Sequence, residues 1–221
     1  MEYEGRVNAP EIPEGALWLN STDRLRLQDL RGRLLVLEFW AAGCVHCIHL
    51  HPVLSQLESR YADELTVIAV HSPKFDAERD PGHVLHAIQR YGIAHPVVND
   101  PDMEIWRSYN VRAWPTLVFV DPNGKVIGRH EGEMQFPAAA QLIEEMLAIY
   151  RSSGALVARS LPITRAAQAR STLSYPGKVL VDSESDRLFI ADSGHNRLLV
   201  TTLDGEIQSI IGSGNDGIRD G

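Results

Sequence analysis

The chain contains only two cysteines, and both lie in one Cys-x-x-Cys motif, Cys44-Val45-His46-Cys47, just after an apolar segment. If Cys47 lies on the first turn of a helix, the two side chains share a helix face and their sulfurs can close a small disulfide ring. The free N–H groups and the positive dipole end at the start of that helix favour a thiolate at Cys44. The motif therefore predicts thiol–disulfide exchange.

Two other interpretations of the motif stay open. A structural zinc site needs four ligands, usually from two Cys-x-x-Cys pairs or from one pair and two histidines. His46, His49 and His51 crowd the motif, so a metal site built from both cysteines and a nearby histidine is one alternative. The other alternative is a pair of inert buried cysteines. We expect neither a bound metal nor a cofactor.

Composition and charge limit the partners of the chain. The formal net charge is −8 and the basic residues form no block, which argues against binding to nucleic acid or to an anionic membrane. No apolar run is long enough to span a bilayer. The first fifteen residues are polar and lack the apolar core of a signal peptide. We therefore expect a cytoplasmic protein, in which a lone Cys-x-x-Cys is more often catalytic than structural.

The order of predicted elements indicates an α/β fold. Residues 1–15 are expected to form an irregular or flexible arm, and residues 16–30 two short strands around a polar turn. Buried strands are predicted at 34–40 and 64–71, because their residues are almost all apolar. Further elements are helices at 44–61, 83–91, 102–109 and 136–150, and a short strand at 96–98. A hairpin of strands 116–120 and 125–132 is predicted around Asp121-Pro-Asn-Gly. Together they predict helices packed on a mixed central sheet.

The last part of the chain has a different pattern. We predict a first domain at residues 1–150, a linker at 151–175 that lacks a clear period, and a small all-β unit at 176–221. This unit has four strand candidates separated by polar turns and no helix signal. That is the size of one blade of a β-propeller.

The first 150 residues resemble the thioredoxin fold, in particular its TlpA-like and redoxin-like branch. The matching segments are 34–47, 91–100, 109–116 and 118–132, in the same order and spacing. The resemblance implies that Pro115 is a cis-proline facing Cys44 and Cys47. It also implies that Glu38 is the buried acid that passes a proton to or from Cys47. Glu38 stands in an otherwise apolar strand, where a carboxylate is rare unless it is paired or functional; a Glu38 turned to solvent or paired at a strand edge is the alternative.

Residues 176–212 resemble an NHL repeat, most clearly in the segment Ala191-Asp-Ser-Gly-His-Asn-Arg197. The polar residues of this segment are expected to hold turn geometry through bonds to the backbone. One blade cannot bury both of its own faces, so we expect the propeller to be truncated here. The resemblance implies that the NHL region binds a protein partner.

Each residue of the predicted site has a role. Cys44 is expected to attack as the thiolate and Cys47 to resolve the mixed disulfide. Pro115 shapes the substrate groove, in which the Trp114 backbone can pair with an extended peptide. His46, when protonated near the Cys44 sulfur, would stabilise the thiolate; alternatively it points into solvent and has no effect.

One position departs from the thioredoxin pattern. Many thioredoxins place a tryptophan directly before the first cysteine, whereas this chain has Gly43. We expect the missing side chain to leave the Cys44 sulfur more open to solvent.

The predicted function is a thiol–disulfide oxidoreductase that acts on protein disulfides or thiols through Cys44 and Cys47, assisted by Glu38, Pro115 and His46. The alternative is a thioredoxin-fold scaffold for protein–protein interaction, with a Cys-x-x-Cys pair that is inactive or only senses redox state. A peroxidase is a weaker alternative, because such sites in this superfamily use Thr-x-x-Cys and the corresponding position is Ala41.

Overall fold

A seven-stranded mixed sheet forms the centre of the N-terminal unit in the computed structural model, which describes residues 3–22, 24–157, 171–215 and 217. The chain divides into two units, Met1–Ala167 and Gln168–Gly221. The strands of the first sheet are β1 (Val7–Asn8), β2 (Leu17–Leu19), β3 (Leu34–Trp40), β4 (Leu65–His71), β5 (Val97–Asn99), β6 (Thr116–Val120) and β7 (Lys125–Glu131). The helices are α1 (Val45–Arg60), α2 (Pro81–Arg90), α3 (Glu104–Ser108) and α4 (Phe136–Ser153).

Strand β3 lies in the middle of this sheet. The strand order is β1-β7-β6-β3-β4-β5-β2, with β3 parallel to β4 and antiparallel to β6. Leu34 and Val36 contribute to a core that also contains residues of α1 and α4. Leu35 and Phe39 point to the opposite face, into a core shared with α3. The predicted strand covered on both faces is confirmed. Its carboxyl end leads into the Cys-x-x-Cys motif.

The N-terminal segment differs from expectation in two ways. The predicted irregular or flexible arm is irregular over most of residues 3–15, but it contains β1, which pairs with β7, and the side chain of Tyr109 donates a hydrogen bond to the carbonyl of Pro10. The second predicted strand is instead a single 3₁₀ turn at Leu27–Leu30. The Glu11 carboxylate accepts the N–H groups of residues 27 and 28, which satisfies the open backbone donors at the start of this turn.

The C-terminal unit contains a second, all-antiparallel sheet. Its strands are β8 (Pro176–Asp182), β9 (Arg187–Asp192), β10 (Arg197–Thr201) and β11 (Ile207–Ile211), in the order β11-β10-β9-β8. The predicted fold class, a mixed sheet flanked by helices followed by a separate four-stranded sheet, is confirmed. Helix α4 continues to Ser153, three residues into the predicted linker. Residues 158–170 of that linker lie outside the described residues.

The buried carboxylate of Asp192 organises the turn between β9 and β10. One of its oxygens accepts the Ser174 N–H at 2.6 Å. The other lies 2.8 Å from both Arg197 Nε and His195 Nδ1. Burial raises the pKa of Asp192, but these donors lower it more, so its pKa lies below the ordinary value. The polar residues of this segment therefore hold turn geometry, as the sequence predicts, and Asn196 adopts the left-handed conformation that completes the turn.

Replacing Asp192 with Ala should destabilise the second sheet by about 1–3 kcal/mol, because three donors lose their buried acceptor. Hydrogen exchange of peptides from β9 and β10 at neutral pH measures this loss. Folding lowers the pKa of Asp192. Its contribution to the free energy of unfolding is therefore fully present above the unfolded pKa of about 3.9 and disappears as the pH falls through the folded pKa. Asp204→Ala, at an exposed position of the same unit, is the control and should change stability by less than about 0.5 kcal/mol.

Candidate functional site

Cys44 and Cys47 form a disulfide at the start of α1. Their Cα atoms are 5.3 Å apart, a normal separation for such a bond. Cys44 is the N-cap residue and has extended backbone angles. Its sulfur accepts the N–H of Cys47 at 3.3 Å. The Cys44 sulfur therefore occupies the position where side chains satisfy the open N–H groups of a helix and where the helix dipole favours negative charge.

Both cysteines are buried, the second completely. Cys44 is 4% exposed and Cys47 is fully enclosed, in an apolar cluster that includes Trp40, Ala41 and residues of α2. The Trp40 ring lies edge-on between His51 and His71. Apolar contacts within this cluster hold the disulfide-bearing loop in place at the carboxyl end of β3.

His71 supports the same loop from the end of β4. The Ala42 N–H donates to His71 Nε2 at 3.3 Å, and His71 Nδ1 lies 3.2 Å from the Asn99 side-chain oxygen. Burial lowers the pKa of His71 more than its hydrogen bonds raise it. A neutral ring with the proton on Nδ1 satisfies both contacts. Parallel strands β3 and β4 end at the same edge of the sheet, and this places His71 beside the motif.

The expectation that Gly43 leaves the Cys44 sulfur open is wrong, because a neighbouring loop covers this position. The Glu78 carboxylate accepts the Gly43 N–H at 2.7 Å and the Lys74 N–H at 2.8 Å. A side chain at position 43 would collide with Glu78 and contact the Phe75 ring. The loop therefore occupies the space of the missing tryptophan. Glu78 and Phe75 lie in a polar, turn-rich stretch whose sequence gives no signal of this role.

Pro115 directly precedes β6. The Trp114–Pro115 peptide bond is cis, as the family resemblance implied. The Trp114 side chain packs against the apolar cluster that contains both cysteines, and its ring lies 4.3 Å from that of Trp106. Its Nε1–H donates to the carbonyl of Ser72 at 2.9 Å. Trp114 thus forms a wall beside the two cysteines.

Glu38 is completely buried on β3 and faces two histidines. One carboxylate oxygen lies 3.2 Å from His51 Nδ1 and the other 3.5 Å from His95 Nε2. These are ion-pair distances, but the ring nitrogens do not point along hydrogen-bonding directions. Since β3 is a central strand, both alternatives for Glu38, a solvent-facing and a strand-edge position, are excluded. The sequence predicted neither of its partners.

The charges of this cluster follow from its contacts. Burial raises the pKa of Glu38, but His51 and His95 outweigh burial and lower the pKa to about 2. Burial lowers the pKa of His95, whereas Glu38 and Glu58 raise it, to about 9. The carboxylate of Glu58 is 3.0 Å from His95 Nδ1. At neutral pH, Glu38 is therefore an anion beside a protonated His95.

His46 and His49 both reach the same carboxylate, that of Glu133. His49 Nδ1 lies 3.2 Å from Glu133 Oε1, and His46 Nδ1 contacts the same oxygen. The two histidines lower the pKa of Glu133 below its ordinary value. Both rings are more than half exposed. The imidazole of His46 thus has an anionic partner at the surface of the site, which the sequence did not predict.

None of the described helices combines the length and the apolar character needed to cross a membrane.

Residues 32–126 match the family model described as thioredoxin-like. NHL repeat-containing protein 2 from Homo sapiens is 39% identical over 224 aligned residues, which cover 99% of this chain and 31% of the relative. The chain thus spans about a third of the length of that curated relative. The alignment includes the region of the four-stranded sheet.

Shorter relatives match the N-terminal unit. Thioredoxin-like protein YneN from Bacillus subtilis is 32% identical over 59% of this chain and 75% of its own length. Thiol-disulfide oxidoreductase ResA from Halalkalibacterium halodurans is 25% identical over 58% and 69%. The crystal structure of the exposed lipoprotein thioredoxin Etrx1 from Streptococcus pneumoniae superimposes with a TM-score of 0.51 and is 28% identical, covering 59% of this chain and 99% of Etrx1.

Replacing Glu78 with Ala should loosen the loop over Gly43, because two backbone N–H groups lose their acceptor. A loss of about 1–2 kcal/mol corresponds to roughly 5–30-fold faster amide exchange at residues 43 and 74, which NMR can measure. Asp76→Ala removes a fully exposed carboxylate from the same loop and should leave these rates unchanged. Equal rates in Glu78→Ala and the wild type would show that the contact does not hold the loop.

Proposed function

The chain belongs to the thioredoxin-like family, and from this premise we propose that it is a thiol–disulfide oxidoreductase that exchanges disulfides with protein substrates through Cys44 and Cys47. One observation carries the proposal. The Cys44 sulfur caps the N-terminus of α1 and is bonded to Cys47, which lies on the first turn of the same helix. The relative ResA is named a thiol-disulfide oxidoreductase, which agrees with this chemistry.

The proposed reaction runs in two exchanges. In the reductive direction, the Cys44 thiolate attacks one sulfur of a substrate disulfide, forming a mixed disulfide and releasing the other substrate sulfur as a thiolate. The Cys47 thiolate then attacks the Cys44 sulfur, which re-forms the Cys44–Cys47 bond and releases the second substrate sulfur. Two electrons pass to the substrate, and an external dithiol must restore the reduced pair. The reverse sequence oxidises a substrate dithiol.

The burial of the two sulfurs agrees with these roles. Cys44 keeps a small exposed fraction, whereas Cys47 has none. A substrate sulfur can therefore approach Cys44 first, while Cys47 reaches only the Cys44 sulfur. The helix N-terminus stabilises the thiolate of Cys44 by up to about 1–2 kcal/mol in a partly buried setting.

Glu38 is proposed to assist the second step by accepting or returning the proton of Cys47. Its carboxylate is ionised and completely buried. The adjacent His95 carries the proton of the pair at neutral pH. We therefore propose that Glu38 acts together with His95 rather than alone.

Pro115 and His46 are proposed to complete the site. An extended peptide could pair with the backbone before Pro115, and the Trp114 ring would form the wall beside it. His46 would add positive charge near Cys44 when protonated. Its contact with Glu133 partly cancels that charge, so we expect its contribution to the thiolate to be smaller than that of the helix N-terminus.

The C-terminal sheet is proposed to bind a protein partner. Support for this comes from its alignment with a relative named for NHL repeats and from the exposed apolar side chains of its outer strands, including Val179, Leu180, Ile210 and Ile211.

We also propose that the protein works in the cytoplasm, where glutathione and thioredoxin keep such cysteine pairs reduced. Alkylation of thiols at the moment of cell lysis would show whether the pair is reduced in cells.

A second candidate function is a redox-sensing scaffold. The specific observation that favours it is the cover over the disulfide, since Glu78 and Phe75 enclose the residue before Cys44 and the sulfur is almost fully buried. A large substrate would need this loop to move, whereas a small oxidant or reductant would not.

The test is reduction of insulin by the full chain with dithiothreitol as the electron source. The wild type should accelerate precipitation of the reduced insulin chains, and Cys44→Ser should fall to the rate of dithiothreitol alone, because no attacking thiolate remains. Cys47→Ser should accumulate a mixed disulfide with the substrate, since the resolving thiol is missing.

If the wild type reduced insulin no faster than Cys44→Ser does, the proposed oxidoreductase activity would be contradicted. If the wild type failed to reduce insulin but its cysteine pair still exchanged with glutathione disulfide, the redox-sensing scaffold would be favoured instead.

A further inference from the structure

Three completely or almost completely buried side chains converge beneath the disulfide loop: Glu38 from β3, His51 from α1, and His95 from the segment before β5. Their exposed fractions are 0%, 3% and 2%. One ligand atom from each lies within 4.8 Å of the others. The sequence separates the three by 13 and 44 residues, so only the fold brings them together.

The polar atoms of this cluster lack hydrogen-bond partners. Both carboxylate oxygens of Glu38, both ring nitrogens of His51, and Nε2 of His95 are buried without a hydrogen bond. Each such group lowers the free energy of unfolding by about 1–3 kcal/mol when it has no partner. His51 Nδ1 and His95 Nε2 face the carboxylate at 3.2 and 3.5 Å, and neither contact meets the geometry of a hydrogen bond. When a cation displaces the proton of His95, the ring nitrogens and the carboxylate oxygens present converging lone pairs, which form a ligand set for that cation.

We propose that Glu38, His51 and His95 bind one divalent transition-metal ion of the Zn²⁺ class. Two imidazole nitrogens and one carboxylate oxygen are a normal protein ligand set for such ions. In a tetrahedral site with bonds of about 2.0–2.1 Å, neighbouring ligand atoms lie about 3.3–3.4 Å apart. His51 Nδ1 lies 3.2 Å from one Glu38 oxygen and His95 Nε2 lies 3.5 Å from the other, and one ligand atom from each residue lies within 4.8 Å of the others, so the three side chains would have to draw closer together around the ion. The three protein ligands leave one position for a water molecule.

Metal-binding histidines usually donate their second ring N–H to a carboxylate, a carbonyl or a water molecule, and His95 has such a partner. Glu58 Oε2 lies 3.0 Å from His95 Nδ1, so the carboxylate fixes the ring and directs Nε2 towards Glu38. The Asn20 side chain donates to the carbonyls of His95 and Ile93, at 3.0 and 2.8 Å. These bonds hold the backbone that carries the ligand.

Charge and access agree with a divalent ion. Glu38 and Glu58 together carry two negative charges, which a divalent ion would balance when both histidines are neutral. Glu58 keeps about a quarter of its side chain exposed, so the carboxylate that supports His95 is in contact with solvent.

The site differs from two other places where a metal ion could bind. The cysteine pair has no thiolate to offer while it is oxidised. His46, His49 and Glu133 form an exposed group at the surface. The experiment therefore uses the disulfide form of the full chain and includes variants that remove the surface group.

Zn²⁺ or Co²⁺ is added to the oxidised full chain, both in the native state and during refolding, and bound metal is counted by native mass spectrometry. We expect one ion per chain and, for Co²⁺, the visible absorption of a tetrahedral site without sulfur ligands. Glu58→Gln, a substitution at a partly exposed position, should weaken binding by about 10–100-fold, because it removes the support of His95. Glu133→Gln should bind the ion as the wild type does.

His51→Leu replaces one ligand with an apolar side chain of similar size and should abolish stoichiometric binding. If this variant does not fold, the Co²⁺ spectrum and the weaker binding of Glu58→Gln decide the question in its place. The proposal is overturned if the oxidised wild type binds no ion at one equivalent, or if Glu133→Gln loses the ion while Glu58→Gln keeps it at full affinity. Because the test uses the oxidised chain, in which Cys47 is bonded to Cys44 and has no proton to exchange with Glu38, either outcome leaves the proposed disulfide exchange untouched.

Discussion

The contact on which the site depends is the hydrogen bond between the Cys47 N–H and the Cys44 sulfur at the start of α1. It exists because β3, buried on both faces, ends at Trp40, and α1 begins at Val45, inside the motif. The first cysteine therefore has to act as the N-cap, and the second has to lie inside the first turn. The same arrangement sets both the disulfide and the electrostatic preference for a thiolate at Cys44. The cis-proline segment and the loop that contains Glu78 are arranged around this helix start.

A second constraint comes from Glu38, a carboxylate buried in the central strand β3. Burial of a charge is unfavourable unless the charge is paired. Here the pairing comes from His51 and His95, with Glu58 behind them. Replacing only one member would leave the others as uncompensated buried charge, which typically costs about 3–5 kcal/mol. The cluster is therefore a single unit, and the same convergence that compensates Glu38 creates the ligand set proposed for a metal ion.

Local sequence signals predicted much of this structure. The apolar run of β3, the turn residues of the β6–β7 hairpin and the spacing of the two cysteines each act over a few residues, so they could be recognised directly. The partners of Glu38, and the loop over Gly43, depend on contacts between segments far apart in the chain. The sequence indicates neither His51 nor His95 as a partner of Glu38, because nothing near either of them signals a buried acid. The 3₁₀ turn at Leu27–Leu30, where the second strand was predicted, has a similar cause, since the Glu11 carboxylate that stabilises the turn lies on another segment.

The central claim is that the Cys44 sulfur is the more acidic thiol of the pair because it caps a helix. The most direct measurement is the rate of iodoacetamide labelling of the reduced full chain as a function of pH, with mass spectrometry to assign each cysteine. The account predicts that Cys44 reacts faster and that its labelling midpoint lies about one pH unit below that of an ordinary thiol, about 8.5. Equal rates at Cys44 and Cys47, both with a midpoint near that of an ordinary thiol, would contradict it.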